Sequence, residues 1–146
     1  MIKILFVCHG NICRSPMAEF VMKDLVQKAG LQDGFYIDSA AVSREELGNP
    51  IYPPAQRELT KHGIVGASHR ARQITSADLQ EFDRIYYMDS SNARYLRRLF
   101  PEHANFLPFL PYDVADPWYS GDFSQTWQDI ETGCKKILSE VVMQTF

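Results

Sequence analysis

The sequence predicts an α/β fold, a single three-layer domain over residues 1–146 in which helices flank a four-stranded parallel sheet. Two observations predict it. Strand-like and helical patterns alternate along the chain, which is typical of parallel strands joined by right-handed crossovers. The first strand-like run ends at Cys8 and passes through a short loop into a helical pattern. A loop between a strand and a helix N-terminus is typical of a phosphate-binding site.

The elements are predicted from apolar runs and from helical periodicity bounded by Pro and Gly. The predicted strands are Lys3–Cys8, Phe35–Asp38, Arg84–Met88 and Asn105–Leu110. The predicted helices are Pro16–Ala29, Pro54–His62, Ser76–Phe82, Ser90–Phe100 and Ser124–Met143. Parallel sheets bind ligands at the carboxyl ends of their strands, near a reversal of strand order. Cys8, Ser39 and Asp89 fall at such ends.

The loop after the first strand carries the residue types that a phosphate cradle needs. Cys8 and Arg14 stand at its two ends, and Gly10 and Asn11 between them tolerate the positive φ that turns successive N–H groups inward. Ser15 is predicted to be the N-cap of the helix, with Pro16 at its first position. Because a thiol lies within the cradle, the loop suggests phosphoryl transfer to sulfur. The alternative is a buried cysteine that ends a strand, with the arginine on the surface.

Composition narrows the class of protein. A chain of 146 residues with 45% apolar and 12% aromatic content fits a globular core. The net charge of −3 argues against a general affinity for nucleic acid or anionic membrane. The chain has three cysteines, an odd number without a disulfide framework, which favours the reducing cytoplasm. No signal peptide or membrane span is expected, although export without a signal peptide stays open.

Five segments together resemble the low-molecular-weight protein-tyrosine phosphatase family. The segment VCHGNICRSPMAE (residues 7–19) is similar to the active-site loop of that family. The other four segments follow in the family's order: FYIDSAA (35–41), HRARQI (69–74), FDRIYYMDSSN (82–92) and DPWY (116–119). The resemblance covers nearly the whole chain and implies the parallel α/β fold and hydrolysis of phosphotyrosine.

The resemblance implies three catalytic residues. Cys8 would be the nucleophile and form a phosphocysteine, and the helix N-terminus and a nearby arginine favour its thiolate. Arg14 would bind two oxygens of the phosphoryl group. Asp116 would protonate the leaving oxygen and later accept a proton from water. Taken alone, Asp-Pro is usually a turn.

The remaining site residues follow from motif position. The phosphate-binding loop comprises His9, Gly10, Asn11, Ile12, Cys13, Arg14 and Ser15, and the pocket wall comprises His9, Ile12, Glu45, Trp118 and Tyr119. Cys13 would trap oxidised Cys8 as a reversible disulfide, the alternative being a small apolar loop residue. Ser15 would also hydrogen-bond the Cys8 sulfur. The supporting residues are Asn11, Ser15, Glu19, Ser39, His69 and Asp89.

Two of these supporting assignments compete with simpler interpretations. Asp89 would cap the helix that follows it and brace the phosphate loop. His69, beside Arg70 and Arg72, suggests an exposed basic turn, whereas the resemblance suggests that it pairs with Glu19. The sequence departs from the family pattern at the rim, where Glu45 replaces an aromatic residue and Trp118 a tyrosine. Because both residues lie at the rim of the pocket, the family pattern does not identify the physiological substrate of this chain.

Other classes of function fit less well. A thioredoxin-coupled arsenate reductase would share the loop but needs further cysteines, and none lies between Cys13 and Cys134. A non-catalytic phosphotyrosine-binding module would be expected to lack Cys8 or Asp116. Neither metal-ligand spacing nor a Gly-x4-Gly-Lys nucleotide loop occurs, so no metal and no cofactor are expected. The predicted partner is a tyrosine-phosphorylated protein or peptide, and the oligomeric state is left open.

Overall fold

A computed structural model describes residues 1–66 and 68–145. Over these residues it contains one sheet of four strands, β1 (Ile2–Cys8), β2 (Phe35–Ala41), β3 (Arg84–Tyr87) and β4 (Phe106–Pro108). Every strand pair is parallel, and the order across the sheet is β2–β1–β3–β4. The predicted four-stranded parallel sheet is therefore confirmed.

The described residues form six α-helices and a short 3-10 helix at Gln32–Gly34. The α-helices are α1 (Arg14–Lys28), α2 (Pro53–Lys61), α3 (Ser76–Glu81), α4 (Ser90–Leu99), α5 (Pro117–Ser120) and α6 (Phe123–Thr145). The sequence predicts five of them within two residues at each end. It misses α5 and the 3-10 helix because neither is long enough to show an apolar periodicity.

Two predicted strands differ from the structure by two or more residues at one end. β2 continues three residues beyond Asp38, since the segment 39–41 pairs with the end of β1, Ala41 opposite Cys8. Polar Asp38 and Ser39 hide this extension in the sequence. β4 is shorter than predicted, because only residues 106–108 pair with β3.

Helices cover both faces of the sheet, so the core has two parts. Alternate residues of β1 point to opposite faces. Ile4 and Phe6 pack with buried residues of α1, α2 and α6, whereas Leu5 and Val7 pack with a smaller cluster that includes Leu96 of α4. None of the helices among the described residues combines the length and apolar character needed to cross a membrane.

The strand order places the loop after β1 where ligands bind in such sheets. The chain runs from β1 to β2 on one side and then returns to β3 on the other side of β1. The reversal leaves a crevice at the carboxyl edge of β1 and β3. Cys8 ends β1 at this edge, and Asp89 follows β3 there.

Gly133 makes room for a close contact between α6 and the loop after β4. A Cβ at this position would overlap the ring of Phe109, which is buried and packs edge-on against Phe6 with ring centroids 5.7 Å apart. Gly133 therefore serves packing, although glycine disfavours a helix interior.

We expect Gly133→Ala to destabilise the protein by about 1–2 kcal/mol, because overpacking costs roughly 1–3 kcal/mol and the gain in helix propensity offsets only part of it. Chemical denaturation measures the free energy of unfolding. The neighbouring, exposed Thr132→Ala serves as the control and should leave stability unchanged or slightly raised. A Gly133→Ala protein as stable as wild type would show that Phe109 can move without cost.

Candidate active site

The loop between β1 and α1 is buried along most of its length, and one residue provides its sharp turn. Asn11 has φ of 60° and is the only non-glycine residue with positive φ in the described part of the chain. Asparagine tolerates this left-handed conformation better than most residues. The matching expectation for Gly10 is wrong, since Gly10 does not have positive φ. Its missing side chain instead leaves room for Glu46, whose Cγ would lie 3.2 Å from a Cβ at Gly10.

The helix that follows the loop begins at Arg14, two residues earlier than predicted. Cys13 occupies the N-cap position, and its side chain makes no capping hydrogen bond within the described residues. The predicted N-cap role of Ser15 is therefore wrong, because Ser15 lies inside the first turn. Because no side chain caps this N-terminus, the Arg14 N–H is left for an anion, whereas Pro16 has no N–H and the Met17 N–H donates to the Cys13 carbonyl.

The Cys8 sulfur lies against the first turn of α1. Ser15 Oγ is 3.0 Å from Cys8 Sγ, and the Ser15 backbone N–H donates to the same sulfur at 3.4 Å. Cys8 itself is buried, with 3% of its surface exposed. The sulfur thus faces the Ser15 hydroxyl, a backbone N–H and the N-terminal end of α1.

Asn11 is the centre of a hydrogen-bond network that fixes the loop. Its Nδ2 donates to Ser15 Oγ at 2.8 Å and to Ser39 Oγ at 3.0 Å. Its Oδ1 accepts from the Arg72 backbone N–H at 3.1 Å. Ser39 Oγ in turn donates to Glu19 Oε1 at 2.6 Å. Because Asn11 and Ser15 are fully buried, their polar atoms need these partners.

His69 and Glu19 do not form the predicted pair, although both lie in the described ranges. His69 Nε2 hydrogen-bonds the Asn11 carbonyl oxygen at 2.8 Å, whereas Glu19 binds Ser39 and accepts from Lys23 Nζ at 2.6 Å. The expectation of an exposed turn at His69 is also wrong, since His69 is 8% exposed. His69 therefore contacts Asn11 directly, whereas Glu19 is linked to Asn11 through Ser39.

Arg14 is held in place by acceptors from the opposite side of the crevice. Its Nη1 donates to Asp89 Oδ2 at 2.6 Å and to the Val114 carbonyl at 2.8 Å, and its Nη2 lies 3.4 Å from Asp116 Oδ2. Burial alone would lower the pKa of Arg14. The negative charges of Cys8, Asp116 and Asp89 outweigh burial and raise the pKa, so the guanidinium stays charged.

Asp89 and Asp116 each end a loop at the N-terminus of a helix. Asp89 is the N-cap of α4 and accepts from the Asn92 N–H at 2.8 Å. Asp116 is the N-cap of α5, and its Oδ1 accepts from the Trp118 N–H at 3.1 Å. This bond fixes the Asp116 carboxyl while its other oxygen faces Arg14.

The two loop cysteines have different environments. Burial, followed by the negative charges of Cys8 and Asp116, raises the pKa of Cys13 far above that of a free thiol, although Arg14 opposes the shift. Burial alone raises the pKa of Cys134, which is fully buried in α6. Burial therefore disfavours the thiolate form of both Cys13 and Cys134.

A pocket opens directly above the loop. Its lining brings together residues 8–10 and 12–14 of the loop with residues from two later segments: Glu45, Glu46, Asp116, Trp118 and Tyr119. Every residue that the sequence assigns to the pocket wall lines this pocket. Trp118 packs against Tyr52 with ring centroids 4.7 Å apart, which fixes its ring at the wall.

Three residues at the pocket do not follow from the sequence. Glu46 lines the pocket beside Glu45, Tyr52 supports Trp118, and Tyr95 of α4 packs edge-on against His9 at 5.4 Å. No local motif marks Tyr52 or Tyr95, because each reaches the site only through the fold. Adjacency to Glu45 is the one signal that could have identified Glu46.

The fold and the site define a class of protein: a parallel α/β domain whose first strand leads into a phosphate loop with cysteine and arginine at its ends. Residues 3–145 match the family model described as low molecular weight phosphotyrosine protein phosphatase, and the chain belongs to this family.

Named relatives cover nearly the whole chain. The low molecular weight protein-tyrosine-phosphatase YfkJ of Bacillus subtilis is 40% identical over 97% of this chain and 96% of its own length. The crystal structure of YfkJ matches with a TM-score of 0.95 at 38% identity, covering 100% of this chain and 98% of that one.

Two further solved structures extend the comparison. The low molecular weight protein tyrosine phosphatase SP-PTP from Streptococcus pyogenes has a TM-score of 0.90 at 41% identity, over 96% of this chain and 93% of the other. The drosophila arginine phosphatase DARP has a TM-score of 0.88 at 32% identity, over 96% and 98%.

Proposed function

We propose that this protein hydrolyses phosphotyrosine in proteins or peptides through a phosphocysteine intermediate on Cys8. The observation that carries the proposal is that Cys8, Arg14 and Asp116 line one pocket, although Asp116 is more than 100 residues away in sequence. Together they supply a nucleophile, a fixed cation and a proton donor, the three groups that transfer of a phosphoryl group from an aryl oxygen requires.

In the first step the Cys8 thiolate attacks phosphorus in line with the aryl oxygen. An S–P bond forms as the P–O bond breaks, and Asp116 donates its proton to the leaving phenolate. Arg14 and backbone N–H groups of the loop bind the phosphoryl oxygens. Because Asp89 and the Val114 carbonyl already hold the guanidinium, it needs no reorganisation during the step.

In the second step water attacks the phosphocysteine. The Asp116 carboxylate accepts a proton from the water, a P–O bond forms, and the S–P bond breaks to release inorganic phosphate and the Cys8 thiolate. The Ser15 hydroxyl, 3.0 Å from the sulfur, stabilises the departing thiolate by a hydrogen bond.

The pocket walls support an aromatic substrate. Trp118 and Tyr119 are both exposed large aromatic side chains at the mouth, and Ile12 lies within the loop. An aromatic ring can stack between such walls, whereas the short side chain of phosphoserine would leave them unoccupied. The comparisons do not favour an arsenate reductase or a non-catalytic binding module.

We further propose that Cys13 protects the nucleophile. Peroxide would oxidise the Cys8 thiolate to a sulfenic acid, and the Cys13 thiol would then attack its sulfur to form a disulfide with loss of water. Both sulfurs belong to one buried loop, which supports this pairing. Because the chemistry needs a free thiol, we propose that the protein works in a reducing compartment such as the cytoplasm.

Hydrolysis of peptides that differ only in the phosphorylated residue tests the proposed function. With EDTA present, we expect kcat/KM for a phosphotyrosine peptide to exceed that for matched phosphoserine and phosphoarginine peptides by about 100-fold or more, because only the tyrosine ring fills the apolar slot. Phosphate release measures the rates. A preference for phosphoarginine would identify phosphoarginine, and not phosphotyrosine, as the substrate. If the protein hydrolysed neither the peptides nor p-nitrophenyl phosphate, the proposed function would be refuted.

A further inference from the structure

Two carboxylates lie at the mouth of the pocket, and their negative charge is opposite to the positive charge at its floor. Glu45 and Glu46 both line the pocket, and Arg14 is the only lysine or arginine that does so among the described residues. Arg14 lies at the floor, 2% exposed, whereas the Glu45 side chain is 68% exposed. The pocket thus has a buried cation at its floor and carboxylates at its rim.

Hydrogen bonds to neighbouring residues fix the positions of both carboxylates. Glu45 Oε2 lies 3.0 Å from His9 Nε2, and Glu46 Oε2 accepts from Asn49 Nδ2 at 2.6 Å. The partner of Glu46 is a neutral amide, so its negative charge is not cancelled by that contact.

The loop that carries these carboxylates is itself anchored at both ends. The Ser43 backbone N–H and Oγ donate to the His9 carbonyl at 3.1 and 2.9 Å. At the other end, the Gly48 N–H donates to the Ala71 carbonyl at 2.9 Å, and the Ala71 N–H donates to the Asn49 carbonyl at 2.8 Å. The acidic rim is therefore a fixed feature of the pocket mouth.

Among the described residues, no lysine or arginine forms an ion pair with Glu45 or Glu46. Arg44 is on the same loop but does not line the pocket among the described residues. Arg98 stacks over Tyr95 at 5.6 Å, and Tyr95 in turn packs against His9, so Arg98 is separated from the mouth by an aromatic ring.

We propose that Glu45 and Glu46 make the enzyme select phosphotyrosine sites flanked by lysine or arginine. This inference rests on the proposed function and names the substrate class of the same site. The phosphate enters past two carboxylates of one loop that repel it, and basic flanking residues offset this repulsion while acidic ones add to it.

Two peptides that differ only in charge test the proposal: one phosphotyrosine flanked on both sides by lysine, and one flanked by glutamate. An exposed ion pair changes an equilibrium by roughly 1.5- to 5-fold. For two carboxylates we therefore expect wild type to prefer the lysine peptide by about tenfold in kcat/KM. The preference should shrink between about 0.01 M and 1 M salt, because the Debye length falls from about 30 Å to 3 Å.

The Glu45→Gln/Glu46→Gln double variant should lower this preference to about twofold or less, and Glu46→Lys should reverse it. The ratio of two peptides measured on one variant cancels any common change in rate. Glu102→Gln removes an equal charge beyond the end of α4, at the opposite edge of the sheet, and should keep the wild-type preference.

Each outcome separates the inference from the function on which it rests. The inference alone is overturned if wild type hydrolyses both peptides equally or prefers the glutamate peptide. It is also overturned if the double variant shows the same preference for the lysine peptide as wild type. A wild type that hydrolyses neither peptide nor p-nitrophenyl phosphate overturns the proposed function as well.

Discussion

Cys8→Ser is expected to lower turnover of phosphotyrosine and of p-nitrophenyl phosphate by roughly 10⁴- to 10⁶-fold, the scale at which removal of a nucleophile stops covalent catalysis. A serine hydroxyl is not ionised at the start of α1, and Nε2 of His9, the histidine of the loop, is bonded to Glu45 rather than to residue 8. Steady-state hydrolysis measures the loss. Rapid acid quench of wild type during turnover should trap phosphate on Cys8, and the variant should trap none.

Two controls distinguish loss of the nucleophile from loss of the phosphate-binding site or of the fold. Cys8→Ser should still bind inorganic phosphate, because Arg14 and the N–H groups of the loop remain, and isothermal titration measures that affinity. Cys134→Ala removes a buried thiol from α6 and should lower the melting temperature while leaving turnover within about twofold, since a cavity in the core costs stability alone. Substantial turnover by Cys8→Ser would contradict a phosphocysteine and assign the attack to water.

The sequence predicts the parts of this site that lie close together along the chain. Apolar residues before Cys8 and helical periodicity after Arg14 place the loop between a strand and a helix, and the structure has this order. Asn11 is predicted to adopt positive φ because its side chain tolerates that conformation, and it does so. These features depend on local sterics, which a short sequence window contains.

Contacts between distant segments could not be predicted in the same way. Glu19 was expected to pair with His69, but it accepts hydrogen bonds from Ser39 and Lys23. His69 was expected either on the surface or against Glu19, and it binds the Asn11 carbonyl. Which acceptor a buried side chain meets depends on the packing of whole elements, and residue type alone leaves several choices open.

The Asp116→Asn variant should slow hydrolysis of phosphotyrosine by about 10²- to 10⁴-fold, because an amide cannot donate a proton to the leaving phenolate. The loss should be smaller for p-nitrophenyl phosphate, since p-nitrophenolate is a much better leaving group and needs protonation less. Asparagine is as good an N-cap as aspartate, so α5 and the bond to the Trp118 N–H should persist.

The ratio of the two losses distinguishes proton transfer from positioning. Asp116 Oδ2 also lies 3.4 Å from Arg14 Nη2, so the substitution weakens a contact that orients the guanidinium. A change in positioning slows both substrates by the same factor, whereas loss of a general acid slows the substrate with the more basic leaving group more. Asp113→Asn, in the same loop but bonded to Ser90, should keep both rates within about twofold. Equal losses for the two substrates in Asp116→Asn would therefore assign Asp116 to the orientation of Arg14 and leave the proton donor to be found elsewhere.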